Sequence, residues 1–150
     1  MPKRTDFLSK PHSRAAVLDR MPFLQLDLPQ PMAPAQKHRL VRALAERYAE
    51  LMQTEVRIVS VCVRDAAGGG PFRLEAGDLR DVAVLMCDVR RGRTTDQRER
   101  AACGFVDIIS AETGLDALHV VVEFTQHEAT EMFRYGAFAP EWSPGETRAT

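Results

Sequence analysis

The chain has 150 residues, 45% hydrophobic and 27% charged, ordinary proportions for one globular domain. A formal net charge of -1 gives no basis for a nucleic-acid or anionic-membrane partner, and no apolar run approaches the roughly 20 residues of a membrane span. Cys62, Cys87 and Cys103 lack C-x-x-C spacing and read as reduced thiols of a cytoplasmic protein, and the four histidines show no metal-ligand spacing, so no metal site is expected.

Residues 1–20 carry many charges, little periodicity and no apolar core of a secretory signal. They are expected to be a disordered extension, or the product of a start placed upstream of a true beginning at Met21. The first strand, 22–29, alternates, with Phe23, Gln25 and Asp27 on one face and Leu24, Leu26 and Leu28 on the other. Pro34 suits the first turn of a helix over 34–53, whose apolar stripe is Leu40, Val41, Leu44, Tyr48, Leu51 and Met52. A strand over 56–64 and a glycine-rich turn, "AAGGGP", follow, then a strand over 82–89. Thr94 and Gln97 form a capping-box pattern opening a helix over 95–112, with Ala101, Ala102, Phe105, Val106 and Ile109 as its stripe. A strand over 118–125 and an irregular tail complete the chain, with 143–150 expected to be flexible.

This is β-α-β twice. A shift of 61 residues superposes the two units (about 22–65 and 83–126) without a gap, laying Asp27 on Asp88, Gln36 on Gln97 and Val59 on Val120. Right-handed crossovers make each strand pair parallel and put both helices on one side. The expected class is therefore α+β, a four-stranded sheet with two helices on one face. Its other face is left semi-apolar, which invites association.

Three segments, "APAQKH" at 33–38, "RRGR" at 90–93 and "HVVVEF…EMFRYGAFAP" over 119–140, resemble the tautomerase superfamily. That group includes 4-oxalocrotonate tautomerase and macrophage migration inhibitory factor. The resemblance covers about 21–142, expected as the domain, and is closest to the cis-3-chloroacrylic acid dehalogenase group, with malonate semialdehyde decarboxylase more distant. It implies cofactor-free chemistry by an N-terminal proline, here Pro22 after removal of Met21. Within a chain a proline nitrogen is an amide; at a terminus it is a secondary amine near the range of an α-amine, about 7.7–8.0, and can carry protons. It also implies that Arg90 and Arg93 hold a substrate carboxylate in their planar donor forks.

Departures accompany the match. Tyr48 stands where the dehalogenases have a histidine, Glu123 in place of a water-activating tyrosine and Arg134 in place of a water-activating glutamate. Hydrolytic dehalogenation is therefore not expected. The implied activity is keto-enol proton transfer on a small 2-oxo acid or unsaturated carboxylate, with hydration or decarboxylation at the same site as the alternative. Pro22, Arg90, Arg93 and Glu123 are the catalytic candidates, with Arg134 and Tyr48 as further substrate contacts. A homotrimer and no cofactor are implied as well. From the residues alone, other readings stand beside these. Pro22 opens a strand, Arg90, Arg91 and Arg93 form a solvated turn, Tyr48 joins an apolar stripe, and the protein is a non-catalytic homologue. Tyr135, Phe138 and Trp142 are expected to form an apolar closing tail.

Overall fold

The computed structural model describes residues 22–67, 69–134 and 137–146; the extension expected over 1–20 and Tyr135 lie outside them. In chain order the elements are β1 (Phe23–Leu28), α1 (Pro34–Leu51), β2 (Ser60–Asp65), β3 (Phe72–Glu75), β4 (Asp78–Asp81), β5 (Ala83–Arg90), α2 (Thr95–Thr113), β6 (Val120–His127), β7 (Phe133–Arg134) and β8 (Ala137–Phe138). Strands β2-β1-β5-β6 form one sheet. β1 runs parallel to β2 and β5 parallel to β6, while the two units meet antiparallel across β1 and β5.

Alternation along β1 is as read: Leu24, Leu26 and Leu28 are buried, and Phe23, Gln25 and Asp27 face the other way. With Ala83, Leu85, Cys87 and Val89 of β5 they pack beneath Leu40, Leu44 and Tyr48 of α1 and Ala101, Phe105 and Ile109 of α2. Each large side chain buried there is worth roughly 1.5–3 kcal/mol. Pro34 stands at the start of α1. The Thr94 hydroxyl accepts from the Gln97 amide at 3.1 Å while the Gln97 side chain accepts from the Thr94 amide at 3.0 Å, closing the capping box. Gly114, at φ +76°, ends α2 in the left-handed conformation that glycine adopts at little cost.

Several boundaries differ from the sequence reading. Val56–Ile58, expected as strand, is a single 3-10 turn, and β2 begins only at Ser60. Ala117–His119 is another, so β6 starts at Val120; the Asp116 carboxylate draws the Leu118 amide into this turn at 2.9 Å. The two turns are 61 residues apart, so the repeat includes them. Beyond the glycine-rich stretch, β3 and β4 pair as a hairpin absent from the sequence reading. Its two-residue loop, Ala76-Gly77, has positive φ at both positions, as the twist of paired strands favours. Alanine rarely marks such a turn, and the strands are only four residues long, so the alternation signal is weak. The tail is likewise less irregular than expected, with a 3-10 turn at Ala129–Glu131 and the β7–β8 pair. Phe133 follows Phe72 by 61 residues, so each unit carries its own hairpin.

Candidate active site

One end of the sheet gathers the start of β1, the start of β2 and the ends of β5 and β6. The last turn of α1 and the entry to α2 close over it. Phe23 is paired with Ser60 on one side and Asp88 on the other, and the Pro22 carbonyl accepts from the Ser60 amide at 3.2 Å. Continuing that register sets Pro22, which is buried, against the Val89–Arg90 end of β5. The sheet thus brings Pro22 and the arginine turn together.

Arg90 is 1% exposed and Arg93 4%. Between them Gly92 turns the chain at φ +113°, a conformation that side chains rarely adopt. Arg90 donates through Nη1 to the Pro140 carbonyl at 2.9 Å and through Nη2 to Glu146 Oε1 at 2.6 Å. Its Nε is buried without a partner among the described residues. Arg93 donates from Nε to the Met52 carbonyl at 3.3 Å and from Nη1 to the Arg90 carbonyl at 3.1 Å. The Trp142 ring covers its guanidinium, 4.5 Å from the ring centre. Burial pulls the Arg93 pKa below the usual arginine value, and the Arg90 charge adds to that; Tyr48 and Glu146 oppose it.

Tyr48 is fully buried, its ring stacked on Phe105 at 6.4 Å, within reach of the charges of Arg93 and Arg90. Its hydroxyl has no hydrogen-bond partner among the described residues. Burial pushes its pKa well above the usual 10, more than Arg93 and Arg90 pull it down, so the phenol stays protonated at neutral pH. Tyr48 therefore packs in the core, with an unpartnered hydroxyl near enough to Arg93 and Arg90 for their charges to act on it.

Glu146 is the site residue that sequence reasoning missed. Its Oε1 accepts from Thr54 Oγ1 at 2.8 Å as well as from Arg90, and its side chain is 9% exposed. Residues 143–146, expected to be flexible, make defined contacts here: the Gly145 amide donates to Gln53 Oε1 at 3.2 Å, and Trp142 Nε1 to the Gln53 carbonyl at 3.3 Å. No motif marks Glu146, because its role depends on where the tail crosses the sheet end. Trp142 closes the site as expected, whereas Phe138 is exposed and packs edge-on against Phe133 instead.

Glu123 is placed elsewhere. It pairs with Met86 in mid-sheet and is exposed on the face away from the helices. It lies four positions before His127 at the site end, roughly 13 Å along the strand. Within one chain it does not join the arginines. Arg134 pairs through its backbone with Ala137, and its side chain lies outside the described part. Arg91 is exposed and paired with Glu128 at 2.6 Å. Cys87 is a core residue whose thiol burial pushes up to about 12, which makes it a poor nucleophile at neutral pH. Among the described residues no group of three or more His, Cys, Asp or Glu side chains is arranged to hold a metal ion, and no helix is long and apolar enough to cross a membrane.

No protein-family model and no curated protein sequence matches the chain. Solved structures match its fold. N1, a member of the cis-3-chloroacrylic acid dehalogenase family, is 19% identical with a TM-score of 0.72, over 84% of this chain and 87% of that one. A fused wild-type 4-OT, described as a symmetric trimer, is 23% identical with a TM-score of 0.70, over 78% and 95%. MIF2 of Leishmania major is 15% identical with a TM-score of 0.68, over 79% and 97%. The fold is that of the tautomerase superfamily, α+β with two β-α-β units.

Proposed function

We propose that this chain, with its tautomerase-superfamily fold, catalyses proton transfer on a small 2-oxo acid or unsaturated carboxylate once Pro22 is its first residue. The observation that supports this reading is the sheet register: continued from Phe23 opposite Asp88, it leads the buried Pro22 to Val89, next to Arg90 in the chain, and the charges of Arg93 and Arg90 both act on the buried Tyr48. As a terminal secondary amine in an apolar pocket beside two cations, Pro22 would titrate below an ordinary α-amine and exchange protons with a carbon acid near neutral pH. Arg90 and Arg93 supply charge-assisted donors for the carboxylate, and the unpartnered Tyr48 hydroxyl a neutral donor for the oxygen that gains charge in the enolate. Such donors, already desolvated, need little reorganisation as the charge develops. Addition of water or loss of carbon dioxide would use the same groups.

The association expected of this fold is a homotrimer, as in the fused 4-OT neighbour. Both hairpins expose apolar side chains, Leu74 and Leu79 on one and Phe133 and Phe138 on the other, suited to a neighbouring copy. Any part taken by Glu123 would then be played across a subunit contact from the outer sheet face.

While Met21 precedes it, Pro22 carries an amide nitrogen, and that form fits a non-catalytic protein. Ketonisation of phenylenolpyruvate by protein beginning at Pro22, compared with the 150-residue protein, separates the two. Turnover is expected only from the shorter form. Equal rates from both, with residues 1–21 verified intact, would remove Pro22 from the mechanism.

A further inference from the structure

The stretch from Pro140 to Glu146 crosses both arginines and takes their outward-facing capacity. The Pro140 carbonyl occupies Arg90 Nη1, the Glu146 carboxylate occupies Nη2, and the Trp142 ring lies over Arg93. With this segment seated the arginines are only 1% and 4% exposed, so a dissolved carboxylate cannot reach either. We infer that Pro140–Glu146 is a displaceable strap whose Glu146 carboxylate stands on Arg90 where a ligand carboxylate would sit, so that small carboxylates bind by competing it off. This rests on the reading of Arg90 as a carboxylate-holding residue.

The strap is seated by polar contacts rather than by the core. None of its residues belongs to the cluster of buried side chains between the sheet and the helices. Among the described residues its attachments to the body are the two bonds to Arg90, the Thr54 hydroxyl on Glu146, the two bonds to Gln53, the Ala129 amide on Glu141 Oε1 at 3.4 Å and the Trp142–Arg93 stack. An anion can exchange with such a hold far more readily than with a buried apolar contact. The body is also shaped to receive it. A Cβ on Gly92 would meet Trp142 Cε3 at 2.8 Å, closer than such contacts can be, so the residue between the two arginines leaves room for the ring.

Glu146 is nevertheless an incomplete occupant. One of its oxygens meets one nitrogen of Arg90, a carbonyl takes a second, and Nε is left buried and unpaired, as is the Tyr48 hydroxyl. A free carboxylate can lie in the plane of the guanidinium and take two parallel bonds, and a neighbouring carbonyl or enol oxygen could accept from Tyr48. The orphaned donors favour the ligand over the strap, because leaving them unmade in a dry site is costly. Ligand class follows: a small 2-oxo acid satisfies both orphans, while the corresponding amide satisfies the arginine poorly.

Trp142 is the chain's one tryptophan, so its emission reports the strap directly and without turnover. Titration of the 150-residue protein with pyruvate should move the emission to longer wavelength in a saturable way, and pyruvamide should not. E146Q should bind pyruvate about tenfold more tightly by calorimetry, as removal of a competing closed state raises the fraction competent to bind. A chain ending at Ala139 should gain at least as much. Unchanged affinity in both variants, or pyruvate binding with no change in Trp142 emission, would overturn the strap while leaving the carboxylate site standing. If no form, the shortened chain included, binds pyruvate, the carboxylate reading of Arg90 falls and the strap falls with it.

Discussion

Tyr48→Phe should make this protein more stable, although Tyr48 is proposed to contact substrate. The hydroxyl is buried, without a hydrogen-bond partner, on a ring that is fully enclosed and stacked against Phe105. Leaving a buried hydroxyl unpaired costs about 1–3 kcal/mol, and phenylalanine keeps the ring, its volume and its stack while losing only the oxygen. Set against the small void left by one atom, the expected net gain is about 1 kcal/mol, or about 2–4 °C in midpoint for a chain of this size. Urea unfolding followed by circular dichroism measures it, with an unchanged slope showing that the native state is otherwise the same. Ketonisation by the form beginning at Pro22 should fall in the same variant, since a group held at a cost to the fold is one whose benefit lies elsewhere. If Tyr48→Phe destabilises the protein, the hydroxyl has a partner in solution and the unmet-donor argument is wrong.

The fold should also weaken in alkali. Burial raises the folded pKa of both Tyr48 and Cys87 above their ordinary values of 10.0 and 9.0, so the folded state holds these protons longer than the unfolded chain does. Their contribution is intact below about pH 9 and is lost as pH climbs toward the folded values, so the urea midpoint should drop steadily above pH 9 and drop less in Tyr48→Phe. Arg93→Ala should weaken pyruvate binding about 10–100-fold, from the roughly 1.5–3 kcal/mol of hydrogen bonding to a charged group, as calorimetry would show. Chloride release from 3-chloroacrylates should stay at background by ion chromatography, if Glu123 and Arg134 stand, as the family resemblance implies, where the dehalogenases have their water-activating pair. Sedimentation equilibrium should give about 50 kDa, three chains of 16.8 kDa, and a Leu74→Asp, Phe133→Asp double variant should shift it toward one chain. Leu74 is 71% and Phe133 60% exposed in the single chain, so their loss should not unfold it.

The elements legible in the sequence are those whose signal is local and repeated. The alternation of Leu24, Leu26 and Leu28, the stripes of the two helices and the capping box at Thr94 each depend on neighbours within one or two turns, and each stands in the structure as read. The 61-residue repeat then ordered them, since two copies of one unit limit how the strands can pair. The hairpin β3–β4 escaped because its apolar residues, Phe72, Leu74 and Leu79, are exposed in the chain, so their pattern does not mark a core. Arg90 and Arg93 were legible only through a family motif; composition and spacing alone describe a solvated basic turn, the opposite of their burial.

Glu146 was not legible at all, and the reason bears on how the site works. The sequence offered Glu123 as the site's carboxylate because it lies in a strand whose resemblance to known proteins is strong. Distance along the strand decides against that within one chain: Glu123 pairs with Met86, four positions short of Arg90, and faces outward while Val122 and Phe124 pack toward the helices. The carboxylate that does meet Arg90 arrives from a tail with no periodicity, 56 residues later in the chain. It is stabilised by a hydroxyl from the residue three positions past α1 and by the glycine between the arginines that admits Trp142. None of these residues signals the others; each is ordinary in its own segment. Their common feature is that the two buried cations need an anion or a π-face, and the tail provides both. In a dry pocket that requirement is strong enough to organise an otherwise featureless segment, and a ligand that meets it more completely than Glu146 has the means to release it.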